Sequence, residues 1–252
     1  MRSAIIRRLP LLGALLVALA GLPTTALAAE TQVAVAANFT EPAKEIAAAF
    51  TEATGHKASL SFGSSGQFLT QISHGAPYEV FLSADAERPL KAEQAGLGVA
   101  NTRFTYAVGR LVLYSKTPGK ASVGTLRAGK FGTLAIADPG AAPYGQAAVE
   151  TLQKLKLYDK VKPKLVTGTS ITQAYQFVST GAAELGFVAL SQVADEKGGS
   201  RWLVPSSDHT PIDQQAILLK TGQDNVAAKA FLAFLKGPKA RAIIKRYGYE
   251  VR

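Results

Sequence analysis

The side chains that could do chemistry in this chain are hydroxyls and amides at the starts of helices, rather than acids, bases or thiols. Asn38 follows a short apolar run, Ser64 and Ser65 lie in Gly63-Ser-Ser-Gly66, and Ser170-Ile171-Thr172 reads as a cap and first turn. Tyr144 sits in Ala142-Pro-Tyr-Gly145, a loop opening another helix. Helix starts expose unpaired N–H groups and the positive end of the dipole, so they suit anions. A fully deprotonated tetrahedral dianion only accepts hydrogen bonds. It wants amides and hydroxyls and is repelled by a carboxylate.

The catalytic alternatives are weak. Gly124 to Lys130 nearly spells a phosphate-binding loop, but Phe131 stands where Ser or Thr must reach Mg²⁺, so a loop before the next strand is expected. Gly63-Ser-Ser-Gly66 is not a G-x-S-x-G elbow, and no Ser-x-x-Lys occurs. His56, His74 and His209 are far apart, and there is no cysteine, so neither a zinc site nor a disulfide is expected. A hydrolase built on Ser65 or Tyr144 would lack a visible base. The chain is expected not to be an enzyme and to need no cofactor or metal cation.

The elements that must position these donors alternate. Thr31–Ala36, Lys57–Phe62, Val80–Ser83, Tyr106–Tyr114, Leu134–Ala137, Lys164–Val166, Leu185–Ala189 and Gln215–Lys220 read as strands. Helices are expected from a Thr40 cap to Gly55, over Gln67–Ser73, and around 145–156, 171–180 and 225–246. Strands alternating with helices argue for α/β layers with largely parallel sheets, whose crevices converge at the carboxyl ends of the strands. With no long linker, two lobes would be joined by strands crossing between them.

The start of the chain sets the compartment. Arg2, Arg7 and Arg8 precede an apolar run from Leu9 to Leu22, closed by Ala26-Leu27-Ala28. That is the pattern of a cleaved secretory signal over residues 1–28. A membrane anchor is disfavoured, because the run is shorter than the ~20 residues needed to span, contains Pro10 and ends at Pro23. Without a cysteine to carry a lipid, the mature protein is expected in the periplasm. Removing Arg2, Arg7 and Arg8 from the 28 Lys+Arg leaves 25 against 18 Asp+Glu, net +7. The basic residues are scattered at helical spacing without interleaved aromatics, which reads as a basic soluble surface rather than a nucleic-acid site.

A specific resemblance runs through the chain. Val35-Ala-Ala-Asn38-Phe, Ser61-Phe-Gly-Ser-Ser65-Gly, Gly75-Ala-Pro-Tyr-Glu-Val-Phe-Leu-Ser-Ala-Asp85 and Gly181-Ala-Ala-Glu-Leu-Gly-Phe-Val188 resemble the periplasmic molybdate-binding proteins. Lys236-Gly-Pro-Lys-Ala240 and Arg246-Tyr-Gly-Tyr249 extend the likeness, in order, over about residues 31–251. The resemblance implies an α/β, two-lobed type II periplasmic binding protein fold, each lobe a mixed sheet flanked by helices, with the ligand cleft between them. On that pattern residues 29–108 form the first part of lobe 1, 109–210 lobe 2, and 211–252 the return to lobe 1. Asn38, Ser65 and Ile171 (through its backbone N–H) match family ligand positions, and Ala37, Ser64 and Ala189 are further candidates. Many members carry a cleft tyrosine where this chain has Ala189; here Tyr144 offers the phenol instead. The implied ligand is molybdate or tungstate, with sulfate or another tetrahedral oxyanion as the alternative. The implied partners of a monomeric binder are the permease and ATPase of an ABC importer. Asp85 is expected to be structural rather than to touch ligand.

Overall fold

The computed structural model describes residues 28–251, so the export signal read over residues 1–28 lies outside the described residues except for Ala28. The strands are β1 (Glu30–Ala36), β2 (Lys57–Gly63), β3 (Val80–Leu82), β4 (Phe104–Gly109) and β5 (Leu111–Ser115). They continue as β6 (Leu134–Ala137), β7 (Leu165–Gly168), β8 (Leu185–Ala189), β9 (Ser200–Leu203) and β10 (Ile212–Leu218). Between them run α1 (Thr40–Thr54), α2 (Ser65–Ser73), α3 (Glu87–Gln94), α4 (Val123–Ala128) and α5 (Pro143–Lys154). The later helices are α6 (Tyr158–Val161), α7 (Ile171–Ser179), α8 (Leu190–Val193), α9 (Val226–Lys236) and α10 (Pro238–Arg246).

Two five-stranded sheets carry the site. The first has the order β2-β1-β3-β10-β4, the second β7-β6-β8-β5-β9. In each, three strands run parallel, and a fourth enters antiparallel to two neighbours: β10 in the first sheet, β5 in the second. The sheets are therefore mixed, and they share one wiring plan although the sequence shows no repeat. Period-2 alternation explains the near-continuous apolar run of β1. Val33 and Val35 face a core with Phe50, Phe231 and Ile244 from α1, α9 and α10. Ala34 faces the opposite cluster with Phe68, Ile72 and Ile217.

Several sequence expectations change. The single run at Tyr106–Tyr114 is two strands in different sheets, broken at Arg110 where the chain first crosses between lobes. The long helix at 225–246 is two, because Gly237 is extended (φ −75°, ψ 165°) and Pro238 starts α10 at its first turn. The loop expected at Gly124–Lys130 is instead the short helix α4, capped by Ser122, which accepts from the Thr125 N–H, and closed by Gly129 at φ 68°. Thr40 does not cap α1; its hydroxyl donates back to the Ala37 carbonyl at 2.7 Å across a tight 3₁₀ turn, Ala37–Phe39. Helix α3 and edge strand β9 were not anticipated, since neither has a clean apolar period.

One helix is held unusually close to its sheet. A Cβ on Gly145, in the first turn of α5, would lie 2.2 Å from the Ala137 carbonyl oxygen of β6. Alanine normally stabilises a helix interior by about 1 kcal/mol over glycine. Here the overlap must win, so Gly145→Ala is expected to lower unfolding free energy by about 1–3 kcal/mol in a urea titration. A neutral or stabilising result would contradict the close approach.

Candidate anion-binding site

The carboxyl ends of the parallel strands face one another across the junction of the sheets. Beyond β1 the chain turns through Ala37 and Asn38; beyond β2, Ser64 occupies the cap position of α2. From the second sheet, β6 leads to the Ala142–Pro143 start of α5, and β7 leads to Ser170 and the start of α7. These are the crevices that an open α/β sheet offers to ligands.

A cavity of about 10 Å³ lies where they meet, lined by Ala37, Asn38, Ser64 and Ser65 from one side and by Pro143, Tyr144 and Ile171 from the other. Ala36, Gly63, Ala84 and Ala142 complete it, so no charged residue lines it. Its size is on the order of one water, because the lobes are shut against each other. The Gly66 N–H donates to the Ala141 carbonyl at 2.9 Å, Arg88 Nη2 to the Gly140 carbonyl at 2.8 Å, and Ser191 Oγ to the Asn38 carbonyl at 2.9 Å. A larger groove of about 300 Å³ opens nearby, but Asp85, Glu87, Glu150 and Asp213 line it. Those carboxylates repel an anion, so the small neutral cavity is the better candidate.

The donors differ in what they have left to give. Ser64 is 3 % exposed and its Oγ has no hydrogen-bond partner. Although Ser64 stands at the cap of α2, it caps nothing with its side chain. Leaving a buried hydroxyl unpaired is costly, so this is the clearest sign of a missing acceptor. Ser65 Oγ accepts from the Ala84 N–H at 3.0 Å, and its own proton remains to be donated. The Ser170 side chain takes the Gln173 N–H, while the Ile171 N–H, in the first turn of α7, has no partner within the helix. Asp85 is held in its own turn by Ser83 Oγ at 3.1 Å, the Arg88 N–H at 3.0 Å and the Arg88 guanidinium.

Two expected residues behave differently. Asn38 lines the cavity, but both Nδ2 hydrogens are engaged, to Gln214 Oε1 and to the Tyr249 hydroxyl, each at 2.9 Å. In this form an occupant would meet the main chain of the Ala37–Asn38 turn, not the side-chain donor. Ala189 does not line the cavity, and its N–H is bound by Gln192 Oε1 at 3.0 Å. Tyr144 does line it, while its oxygen also receives Gln214 Nε2 at 3.2 Å.

Sequence reasoning missed the group behind the cavity: Gln214, Tyr106, Tyr249 and Ser191. Gln214 Oε1 accepts from both Asn38 and the Tyr106 hydroxyl, and the Tyr249 hydroxyl donates to the Asn38 carbonyl at 2.7 Å. Ser191 Oγ lies 2.9 Å from the Tyr249 hydroxyl. One signal was available: Gln214 falls between Ile212 and Ala216 at the inward phase of β10. Burial pushes the phenols of Tyr106 and Tyr144 well above the ordinary tyrosine range and pushes Tyr249 up to about 12. All three therefore stay protonated donors at neutral pH.

Because these groups hold their protons more tightly folded than unfolded, stability is full below the ordinary value of 10 and falls as pH rises towards 12. The midpoint of thermal unfolding is expected to drop between about pH 10 and 12, and Tyr249→Phe should reduce the size of that drop. An equal drop in both proteins would show that Tyr249 does not contribute.

Residues 31–250 match the family model described as bacterial extracellular solute-binding protein. The chain is 57% identical over 230 residues to the molybdate-binding protein ModA of Rhodobacter capsulatus, a match covering 91% of each chain. Among solved structures, the Azotobacter vinelandii periplasmic molybdate-binding protein superposes with a TM-score of 0.85 at 40% identity, covering 88% of this chain and 99% of that one. The sulfate-binding protein SubI from Mycobacterium tuberculosis H37Rv shares the fold alone, with a TM-score of 0.74 at 13% identity, covering 88% and 87% of the two chains. The two mixed sheets are those of a periplasmic binding protein, and the chain belongs to the bacterial extracellular solute-binding protein family, whose members bind solutes rather than transform them.

Proposed function

We propose that this protein captures molybdate, and also tungstate, outside the cytoplasm and delivers the anion to the permease and ATPase of an ABC importer. The observation that carries this reading is the unpaired Ser64 hydroxyl in an uncharged cavity built from facing helix starts. Ser65 Oγ, the Tyr144 phenol and the N–H groups at Ala37 and Ile171 supply the other donors. The strong similarity to molybdate-binding relatives supports the choice among oxyanions. On this reading lobe 1 comprises residues 29–108 and 211–252, lobe 2 comprises 109–210, and the signal over 1–28 sends a monomer to the periplasm.

Each hydrogen bond to a charged acceptor contributes about 1.5–3 kcal/mol, so a few donors reach sub-micromolar affinity. Molybdate and tungstate have nearly the same size and charge, and a cavity of fixed donors hardly separates them. Sulfate is smaller, and the same donors would hold it at longer distances. Phosphate near neutral pH usually carries a proton and wants an acceptor that this cavity does not provide.

Calorimetric titration with the three anions side by side is expected to give tight, similar binding of molybdate and tungstate and much weaker binding of sulfate. Sulfate binding as tightly as molybdate would overturn the assignment. Ser65→Ala should weaken molybdate binding by about 10- to 100-fold; an unchanged dissociation constant would remove Ser65 from the site. Ser64→Ala should split two measurements, weakening molybdate binding while leaving the ligand-free protein as stable as before or more so, because a buried orphan hydroxyl is removed. A loss of stability without a loss of affinity would assign Ser64 to the fold instead.

A further inference from the structure

We propose that Gln214 is a positioning residue for the anion site: it aims the Tyr144 phenol into the cavity from the opposite lobe. The inference rests on the function reading above. Gln214 lies on β10 in the first sheet and is 0% exposed, while Tyr144 lies on α5 against the second sheet and is 1% exposed. The orientation of the amide follows from its neighbours. Oε1 accepts from Asn38 Nδ2 at 2.9 Å and from the Tyr106 hydroxyl at 3.0 Å. Turning the amide over would set its NH₂ against those two donors, so Nε2 must face Tyr144, 3.2 Å away.

The phenol oxygen therefore receives a hydrogen bond from the protein, and its own proton is the group left for an acceptor. A further hydrogen-bond neighbour of that phenol is the Tyr249 hydroxyl. An oxyanion entering the cavity competes with Tyr249 for the proton, and Gln214 holds the ring oxygen where the exchange can happen. A second observation, from the backbone, agrees. A Cβ on Gly109 would lie 2.2 Å from the Tyr144 hydroxyl and 2.7 Å from Gln214 Nε2. The missing side chain at the point where β4 hands over to β5 is what lets the two groups meet. The Gln214–Tyr144 bond spans the lobes, so shutting the cleft and orienting the phenol are one event.

The test is a double-mutant cycle with Gln214→Leu and Tyr144→Phe, read by molybdate calorimetry and by urea unfolding of the ligand-free proteins. Gln214→Leu is expected to weaken molybdate binding about tenfold in the wild-type background, a loss equivalent to one hydrogen bond. In the Tyr144→Phe background the same substitution should cost less than twofold, because no phenol is left to aim. A merely structural role would cost the same factor in both backgrounds, and that result overturns the proposal. Gln214→Glu, nearly isosteric, keeps the acceptor for Asn38 and Tyr106 but offers Tyr144 a second acceptor beside an anion. It should fold and lose at least as much affinity as the leucine variant; wild-type affinity in that variant also overturns the proposal. Wild-type protein that fails to bind molybdate overturns the function reading and this inference with it. Wild-type binding with equal losses in the two backgrounds overturns this inference alone.

Discussion

A carboxamide buried away from water must find protein partners for one oxygen and two N–H groups, or cost the fold dearly. At the junction of the two sheets, Gln214 faces that requirement with no exposed surface at all, and its partners come from three separated parts of the chain: Asn38, Tyr106 and Tyr144. Tyr249 and Ser191 close the set around the Asn38 carbonyl. The geometry of the cleft depends on this satisfaction of neutral polar groups. It fixes where the turn after β1 sits relative to the start of α5, and so sets the distance between the two halves of the cavity.

Neutrality is also what makes the cavity chemically specific. A site holding lysine or arginine would attract any anion and release it slowly, whereas oriented N–H and O–H dipoles bind by shape and count. The nearest carboxylate in sequence, Asp85, is occupied by Ser83 and Arg88, and Arg88 reaches across to the Gly140 carbonyl. One ion pair thus removes a negative charge from consideration and fastens the lobes beside the cavity. The raised phenol values of Tyr106, Tyr144 and Tyr249 follow from the same dryness.

Much of this was legible beforehand, for local reasons. Strands such as Leu134–Ala137 and Leu185–Ala189 are short apolar runs bounded by turn residues, and both lie where expected. Ser65, Tyr144 and Ile171 were marked by their places at helix starts, and the cavity brings them together. What could not be read was set by tertiary contact. Nothing local in Tyr106–Tyr114 says that Arg110 separates two sheets, since both halves are equally apolar and β-prone. Asn38 lines the cavity, but its amide is turned by Gln214 and Tyr249, 176 and 211 residues further along the chain. The resemblance favoured Ser65 over Ser64, but both are buried, and what separates their hydroxyls is the distant Ala84 N–H, which reaches Ser65 Oγ and leaves Ser64 Oγ without a partner.

The place of β10 in the first sheet has a consequence for how the molecule is made. It lies between β3 and β4, yet the whole of the second sheet precedes it in the chain. Until Leu218 has been synthesised, β3 and β4 have no strand to join them, and the first lobe has only half its pairings. Contacts of such long sequence separation form slowly, because the intervening chain must be closed into a loop first. A polypeptide wired this way can pair its whole second sheet while the first is still incomplete, and it acquires a binding crevice only when its last strand enters the first sheet between β3 and β4.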